Sequence, residues 1–557
     1  MLQQSGSFLR MLPTPFCHAR LGMLALLLSG LGQAAASPAS DLVARRVRAH
    51  DTFLADDLME GRGTGTRGYD LAALYVAAQF RRLGLEPGAD GGVYRQEIAF
   101  VETTISVEGG RLVVKAAGKE DALAAVNDMV VAVSAGQTSA EVTAPAVFVG
   151  YGVHAPELNY DDFAGVDLHG KIAVILSGSP ARFPSEQRAH HAQTDQKRSL
   201  LVRAGAVGVV TIITPSDLAR RPWALTVSGS RFPAMRLLDS AGKIVDGYPE
   251  LRAGATVSAP AASRIFAAAP HPLAEAFAAA ERSEPQSYPL NATLTLAGTA
   301  TVRTIKSANV LGLLPGTDPA LADEPVVLTA HLDHIGIGPA FNGDTIYNGA
   351  MDNGIGSSIL LAVAEELAAG PRLRHPVLFA SVTGEEKGLL GSRHLAAHPP
   401  AAVRRFAANV NMDMPLFFGA SRDVVAFGAE HSTLREVLAA VAARHGLEVS
   451  PDPMPEENIF VRSDQYPFVL QGVPAICLTP GRKSLDPKID LAAATLDFVK
   501  NHYHRPSDDL SLPIDWAATG PFALLLTDLT REIANNPKGP TWIPGDFFGE
   551  RFGAGRK

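Results

Sequence analysis

From about residue 305 onward the chain alternates short apolar runs with longer helical stretches, and this alternation constrains its fold more than any other feature. The runs PVVLTA (325–330), HPVLFASV (375–382), FAANVNM (406–412), DVVAFG (423–428) and GVPAICL (472–478) are spaced by segments such as GSSILLAVAEELAAG (356–370) and STLREVLAAVAARHG (432–446). Strands alternating with helices predict an α/β fold with a mixed, mostly parallel sheet flanked by helices on both faces. In such sheets ligands gather at the carboxyl ends of the strands.

Those strand ends carry an unusual set of side chains. PVVLTA runs into His331 and Asp333, HPVLFASV into the pair Glu385-Glu386, and FAANVNM into Asp413. Asp352 lies in the glycine-flanked GAMDNG ahead of a helical stretch, and His504 lies in YHRPSDD. Any one of these elements is ordinary solvated surface in most proteins. Together they place acids behind apolar strands, where burial is costly unless positive charge compensates it, and metal ions do that well. Two imidazoles and three carboxylates make a donor set suited to zinc, with cobalt or manganese as substitutes. One carboxylate can bridge two ions ~3.5–4 Å apart, and a shared water then loses its proton near neutral pH. Of the neighbours Glu385 and Glu386 only one needs to bind metal, which leaves the other free to move protons.

At 557 residues the chain is too long for one ordinary core. Residues 1–36 read as a signal peptide: Arg10, His18 and Arg20 precede an apolar run from Leu21 to Leu31, and Ala34-Ala35-Ala36 closes it. That run is roughly half the ~20 residues needed to span a bilayer. Export to the periplasm or the medium is therefore expected, without stable membrane insertion once the signal is cleaved. Cys17 lies in the signal, and Cys477 in GVPAICL would remain as a buried core thiol, so no disulfide framework is expected. A net charge of −8 with no Lys/Arg run argues against a nucleic-acid partner.

Between the signal and the α/β region the texture changes twice. Residues 40–115 open with two helical patterns (Leu54, Leu58, then Leu71, Leu74, Val76, Ala77 and Phe80), separated by GRGTGTRG at 61–68. This glycine run follows a helix and lacks a Lys-Ser/Thr end, so it reads as a turn and not a phosphate loop. Residues 116–265 carry the β-type runs PAVFVGYG, KIAVILSG and GVVTII around one basic helical segment, and RLVVKA comes just before them. The Ala/Pro-rich stretches SAPAAS, AAAPHP and SEPQSYP then read as a boundary, placing a catalytic domain at 266–540 and a tail at 541–557.

The segments AHLDH, NGAMDNG, TGEEKGLLGS, VNMDM and NHYHRPSDD resemble, in order, the five metal-site segments of the M28 family of zinc peptidases. LADDLMEGRGTGTRGYDLAALYVAAQFRRLGLEPG is similar to the N-terminal segment of bacterial members, and VGYGVHAPELNYDDFAGVDLHGKIAVIL to their inserted protease-associated (PA) domain. The resemblance implies two zinc ions: His331 and Asp413 hold one, Glu386 and His504 the other, and Asp352 bridges. It implies Glu385 as the general base, Asp333 as a carboxylate supporting His331, and Asp508 as a support for His504. Tyr503 stands where some family aminopeptidases carry an oxyanion-stabilising tyrosine; packing is an equal reading. Met351 and Gln465 depart from residues common in the family, though neither is a matched ligand, and His334 reads as structural or surface. Met414 reads as core packing or as a pocket wall. The implied activity is a secreted exopeptidase acting on peptides, an aminopeptidase first. A carboxypeptidase, a glutaminyl cyclase-like acyltransferase and a receptor-like binding protein stay open; the complete ligand set weighs against the last two.

Overall fold

The computed structural model describes residues 37–245 and 247–553. The expected signal peptide, residues 1–36, lies outside the described residues. Helix α1 (Pro38–Leu54) starts where the Ser37 side chain accepts the Ser40 amide, and α2 (Arg67–Arg82) where Thr66 caps Tyr69. Their inner faces, Val43, Val47 and Leu54 on one and Tyr69, Ala73, Val76 and Phe80 on the other, are buried in the largest core cluster. Leu58 and Leu74, both part of the apolar pattern in the sequence, are instead exposed at 74% and 64%.

The central sheet is built from β1 (Arg95–Ile105), β2 (Ser287–Leu314), β3 (Val326–His331), β4 (Val377–Val382), β5 (Ala408–Asn411), β6 (Asp423–Phe427), β7 (Glu448–Ser450) and β8 (Ala475–Pro480). Pairing gives the order β1-β2-β4-β3-β5-β8-β6-β7. The four middle strands β4, β3, β5 and β8 are mutually parallel, and the β1–β2, β2–β4 and β8–β6 pairs are antiparallel. The sheet is thus mixed and mostly parallel at its centre. Helix α3 (Ile355–Ala368) is apolar on nearly every side and is buried over almost its whole length. With α1 and α4 (Trp516–Asn535) it covers one face of the sheet.

The β-rich insert has its own sheet: the strands Ile172–Leu176, Gly208–Ile212 and Ala253–Val257 pair in parallel, with Met129–Val133 and Ser139–Val149 at the flanks. Its core does not stop at residue 265. Phe266, Leu273, Ala276, Ala280, Leu290, Leu294 and Leu296 belong to the same cluster as Phe148 and Val174. Within and between the Ala/Pro-rich stretches that read as a boundary, the helices Ala259–Ala262 and Leu273–Glu281 pack into the insert core, because alanine lets helices approach closely while giving the composition of a linker. Strand β2 makes the transition instead. Residues 287–299 pair with the insert strand Ser139–Val149, while residues 300–314 pair with β1 and β4. The stretch read as a C-terminal tail also packs: the helix Phe547–Phe552 buries Phe548 completely, and residues 554–557 lie outside the described set.

Candidate metal centre

Three of the middle strands deliver the chemistry. Strand β3 ends on His331, β4 leads through Gly384 into Glu385 and Glu386, and β5 leads through Met412 into Asp413. The loop before α3 supplies Asp352. Gly349 makes that loop possible: its φ is 61°, and an added Cβ would lie 2.2 Å from the Asp352 carbonyl and 2.6 Å from the His334 ring. The Asp352–Asn353 peptide bond is cis. Asn353 ties this loop to the end of β5, its side chain donating to the Met412 carbonyl and accepting the amide of Met414.

The strand ends bring the five expected ligands into one cluster around Asp352. His331 Nε2 lies 3.3 Å from Asp352 Oδ1 and 3.1 Å from Asp413 Oδ1. His504 Nε2 lies 3.2 Å from Asp352 Oδ2 and 3.1 Å from Glu386 Oε2. A tetrahedral ion with ~2.0–2.1 Å bonds holds its ligand atoms about 3.3 Å apart. The spacing thus fits two ions sharing Asp352. Asp352 Oδ2 is buried and, although His504 Nε2 is 3.2 Å away, makes no well-formed hydrogen bond, as fits an oxygen aimed at a metal ion. His331 Nδ1 faces the Asp333 carbonyl at 2.9 Å; donating there leaves a lone pair on Nε2, pointing into the cluster.

Charge is unevenly shared. Burial disfavours the His331 imidazolium, yet Asp413 and Glu385 outweigh it and raise the group well above its ordinary range. His504 is likewise opposed by burial but carried up to about 10 by Glu386 and Asp352. Burial pushes Glu386 up, but His504 and His334 hold it well below the carboxylate range. Glu385 is the exception: burial, with Asp413 and Glu386 nearby, drives its carboxyl well above 4.5.

Several expectations change in detail. Asp333 supports His331 through its main-chain carbonyl, while its carboxylate accepts the Glu385 amide at 3.2 Å and the Thr64 hydroxyl at 2.8 Å. Asp508 does not reach for His504; it accepts the amides of Met351 and Asp352 at 2.8 and 3.0 Å and so holds the shared loop. His334 is fully buried, not at the surface, with Nδ1 2.8 Å from Glu386 Oε1 and 3.8 Å from Asp352. It braces Glu386, whereas His504 faces both carboxylates. Gln465 is buried, accepting from Asn411 and donating to the Phe460 carbonyl, and is not among the residues that line the cavity. Cys477 is a buried free thiol.

Tyr503 stacks on His504 with ring centroids 3.8 Å apart. It lines a cavity of about 210 Å³ together with Asp352, Glu385 and Asp413. Met414, Leu416, Phe418, Val425, Phe427 and Leu491 form an apolar part of the cavity wall, and Glu457, Arg462 and Arg482 line it as well. Met414 is thus a pocket wall. Among the described residues no helix is long and apolar enough to cross a membrane.

The chain is similar to several known proteins. Over 111 residues it is 33% identical to aminopeptidase YwaD of Bacillus subtilis, covering 19% of this chain and 22% of that protein. Over 263 residues it is 26% identical to a probable lipoprotein aminopeptidase, LpqL, of Mycobacterium tuberculosis, covering 44% and 49%. The matches span about half or less of the length of these curated relatives. An aminopeptidase from Aneurinibacillus sp. strain AM-1 has the same fold, with a TM-score of 0.51 at 18% identity over 88% of this chain and 93% of that one. Residues 309–530, which contain every side chain of the cluster, match the model of peptidase family M28, and the chain therefore carries an M28 peptidase domain.

Proposed function

We propose that this protein is a two-zinc exopeptidase, an aminopeptidase that removes N-terminal residues from peptides. The observation that carries the reading is the shared carboxylate: Asp352 faces His331 and Asp413 on one side and Glu386 and His504 on the other, with Glu385 beside them on a partly apolar cavity. His331, Asp413 and Asp352 would hold one ion, and Glu386, His504 and Asp352 the second. When bound, the ions supply Lewis-acid polarisation of the scissile carbonyl and a water acidified toward neutral pH.

The chain's own groups do the rest. Glu385 takes the proton of the attacking water and delivers it to the leaving amine; its buried carboxyl favours the protonated form needed for the second step. The carboxylate of Asp333 fixes the Glu385 main chain. Tyr503, its hydroxyl pKa raised well above 10 by burial, keeps its proton and donates to the developing oxyanion. The apolar part of the cavity wall suits an apolar terminal side chain. The β-rich insert is a PA-like domain that borders the cleft, and the enzyme works outside the cytoplasm, in the periplasm or medium.

The deciding experiment is a panel of aminoacyl, N-blocked and C-terminally free substrates, assayed alongside metal analysis. Cleavage of free N-terminal substrates by protein carrying two zinc ions is the expected result. Cleavage confined to N-blocked peptides from their C-terminal end would replace the aminopeptidase with a carboxypeptidase.

A further inference from the structure

GRGTGTRG, which as sequence reads only as a turn, lies against the back of the metal centre. Arg62 is fully buried. No carboxylate pairs directly with it among the described ion pairs; its guanidinium instead donates to four main-chain carbonyls. Nε bonds Leu332 at 2.8 Å, Nη1 bonds Leu54 at 2.6 Å and Asn348 at 2.7 Å, and Nη2 bonds Gly349 at 2.8 Å. Leu332 lies between His331 and Asp333, and Asn348-Gly349 begins the loop that carries Asp352. One planar fork thus spans both loops. Two residues on, the Thr64 hydroxyl donates to Asp333, whose other carboxylate oxygen accepts the Glu385 amide.

The backbone pays attention to this contact in its conformation. Glu60, Gly61 and Arg62 all have positive φ, two of them non-glycine residues in a costly region. A Cβ on Gly61 would lie 2.3 Å from the Tyr347 carbonyl, so the segment can approach the loop only as glycine. The Arg62 carbonyl accepts the His334 amide, and Gly63 forms a parallel bridge with His334. Burying a guanidinium is expensive. Burial lowers its pKa, and the nearby Asp51, Asp508, Asp352 and Asp333 offset that cost in part. Asp51 is itself completely buried, with both carboxylate oxygens lacking a hydrogen-bond partner.

We infer that Arg62 and Thr64 are positioning residues of the metal centre: Arg62 sets the loop of His331 against the loop of Asp352, and Thr64 steadies Asp333 and through it Glu385. This rests on the two-zinc reading above. A guanidinium fork is required because an ammonium has neither the reach nor the planar geometry to serve both loops at once.

The test compares Arg62→Lys, Thr64→Val and Thr64→Ser in the full chain. Zinc affinity is read on metal-free protein by competition with a chromophoric chelator, and kcat and KM are measured separately. Arg62→Lys is expected to weaken zinc binding by ~10–100-fold, the usual effect of losing a group that orients ligands. Thr64→Val is expected to lower kcat about tenfold, with KM unchanged and Thr64→Ser restoring it. Arg62→Lys that binds zinc as tightly as wild type while only melting earlier would overturn the role of Arg62. Unchanged kcat in Thr64→Val would overturn that of Thr64. If Arg62→Lys does not fold, the Thr64 pair, whose zinc affinity and kcat are read in the same way, decides the proposal. Wild-type protein that binds two zinc ions without hydrolysing peptides removes the peptidase reading but leaves the zinc-affinity test in force. Wild-type protein that binds no zinc overturns both.

Discussion

Two clusters in this molecule look alike by composition and behave as opposites. At the metal centre, His331 and His504 face Asp352, Glu386 and Asp413. Where the insert meets the catalytic domain, His431 sits between Glu186, from the insert helix Ser185–Ala192, and Asp546, with Glu430 alongside. Both clusters bring an imidazole and carboxylates within ligand-to-ligand distance. The difference lies in what each ring nitrogen faces. His431 has a carboxylate on each ring nitrogen, Asp546 2.5 Å from Nδ1 and Glu186 on Nε2, and the two raise its pKa to about 10. His331 donates from Nδ1 to a neutral carbonyl, which leaves Nε2 for a cation. Metal uptake there expels the protons that its carboxylates otherwise attract. Ligand-like spacing alone does not make a metal site: the metal centre gathers two imidazoles and three carboxylates, whereas the His431 cluster supplies a single imidazole.

The largest test of this contrast is chelation. Removing metal is expected to take hydrolysis to background and zinc to restore it, while the pH response of the His431 contact stays as it was. A chelator-insensitive enzyme would sink the metal mechanism. Next in size, Glu385→Ala should cost ~10²–10⁴ in kcat with two zinc ions still bound by metal analysis; retained activity would remove Glu385 as the base. Tyr503→Phe should lower kcat by ~10²–10³ if its hydroxyl serves the oxyanion, and by far less if the ring only stacks on His504.

The smallest effect belongs to His431. Its folded pKa, about 10, lies above the unfolded value of 6.5 because Asp546 and Glu186 overcome the opposing effect of burial. A raised imidazole contributes stability that is fully present below pH 6.5 and is lost as pH climbs through 10. Thermal melts between those limits should show the transition falling by about 2–4 °C for each kcal/mol lost. His431→Gln should flatten that dependence and leave zinc content untouched. A variant whose melting curve followed pH as the wild type does would show that the contact carries no charge.

The parallel sheet and three of the candidate ligands, His331, Glu386 and Asp413, are legible because each lies at or just beyond an apolar run. An apolar strand that ends on His331, or that leads within a few residues to Glu386 or Asp413, is a local signal. What the sequence hid was distant or compositional. Arg62 and Leu332 are separated by 270 residues, so nothing near the arginine announces its partners. Asp508 lies four residues from His504 and was read as its support, but the chain turns so that it meets the amides of residues 351 and 352 instead. The insert boundary failed because alanine-rich packed helices and linkers share a composition. His334 reads from sequence as structural or surface, and the structure decides for structural, because sequence beside a ligand gives no hint of whether a side chain points inward.

The 28-residue strand Ser287–Leu314 also has a mechanical meaning. It is a single strand shared by both sheets, with a register shift between Pro289 and Thr293 in its first half. A module hung on two flexible tethers can swing; one built around a shared strand transmits torque, so rotating the insert twists the edge of the sheet that carries β4. Cutting out residues 116–265 as a cassette would strip the strand's first half of the partners it pairs with.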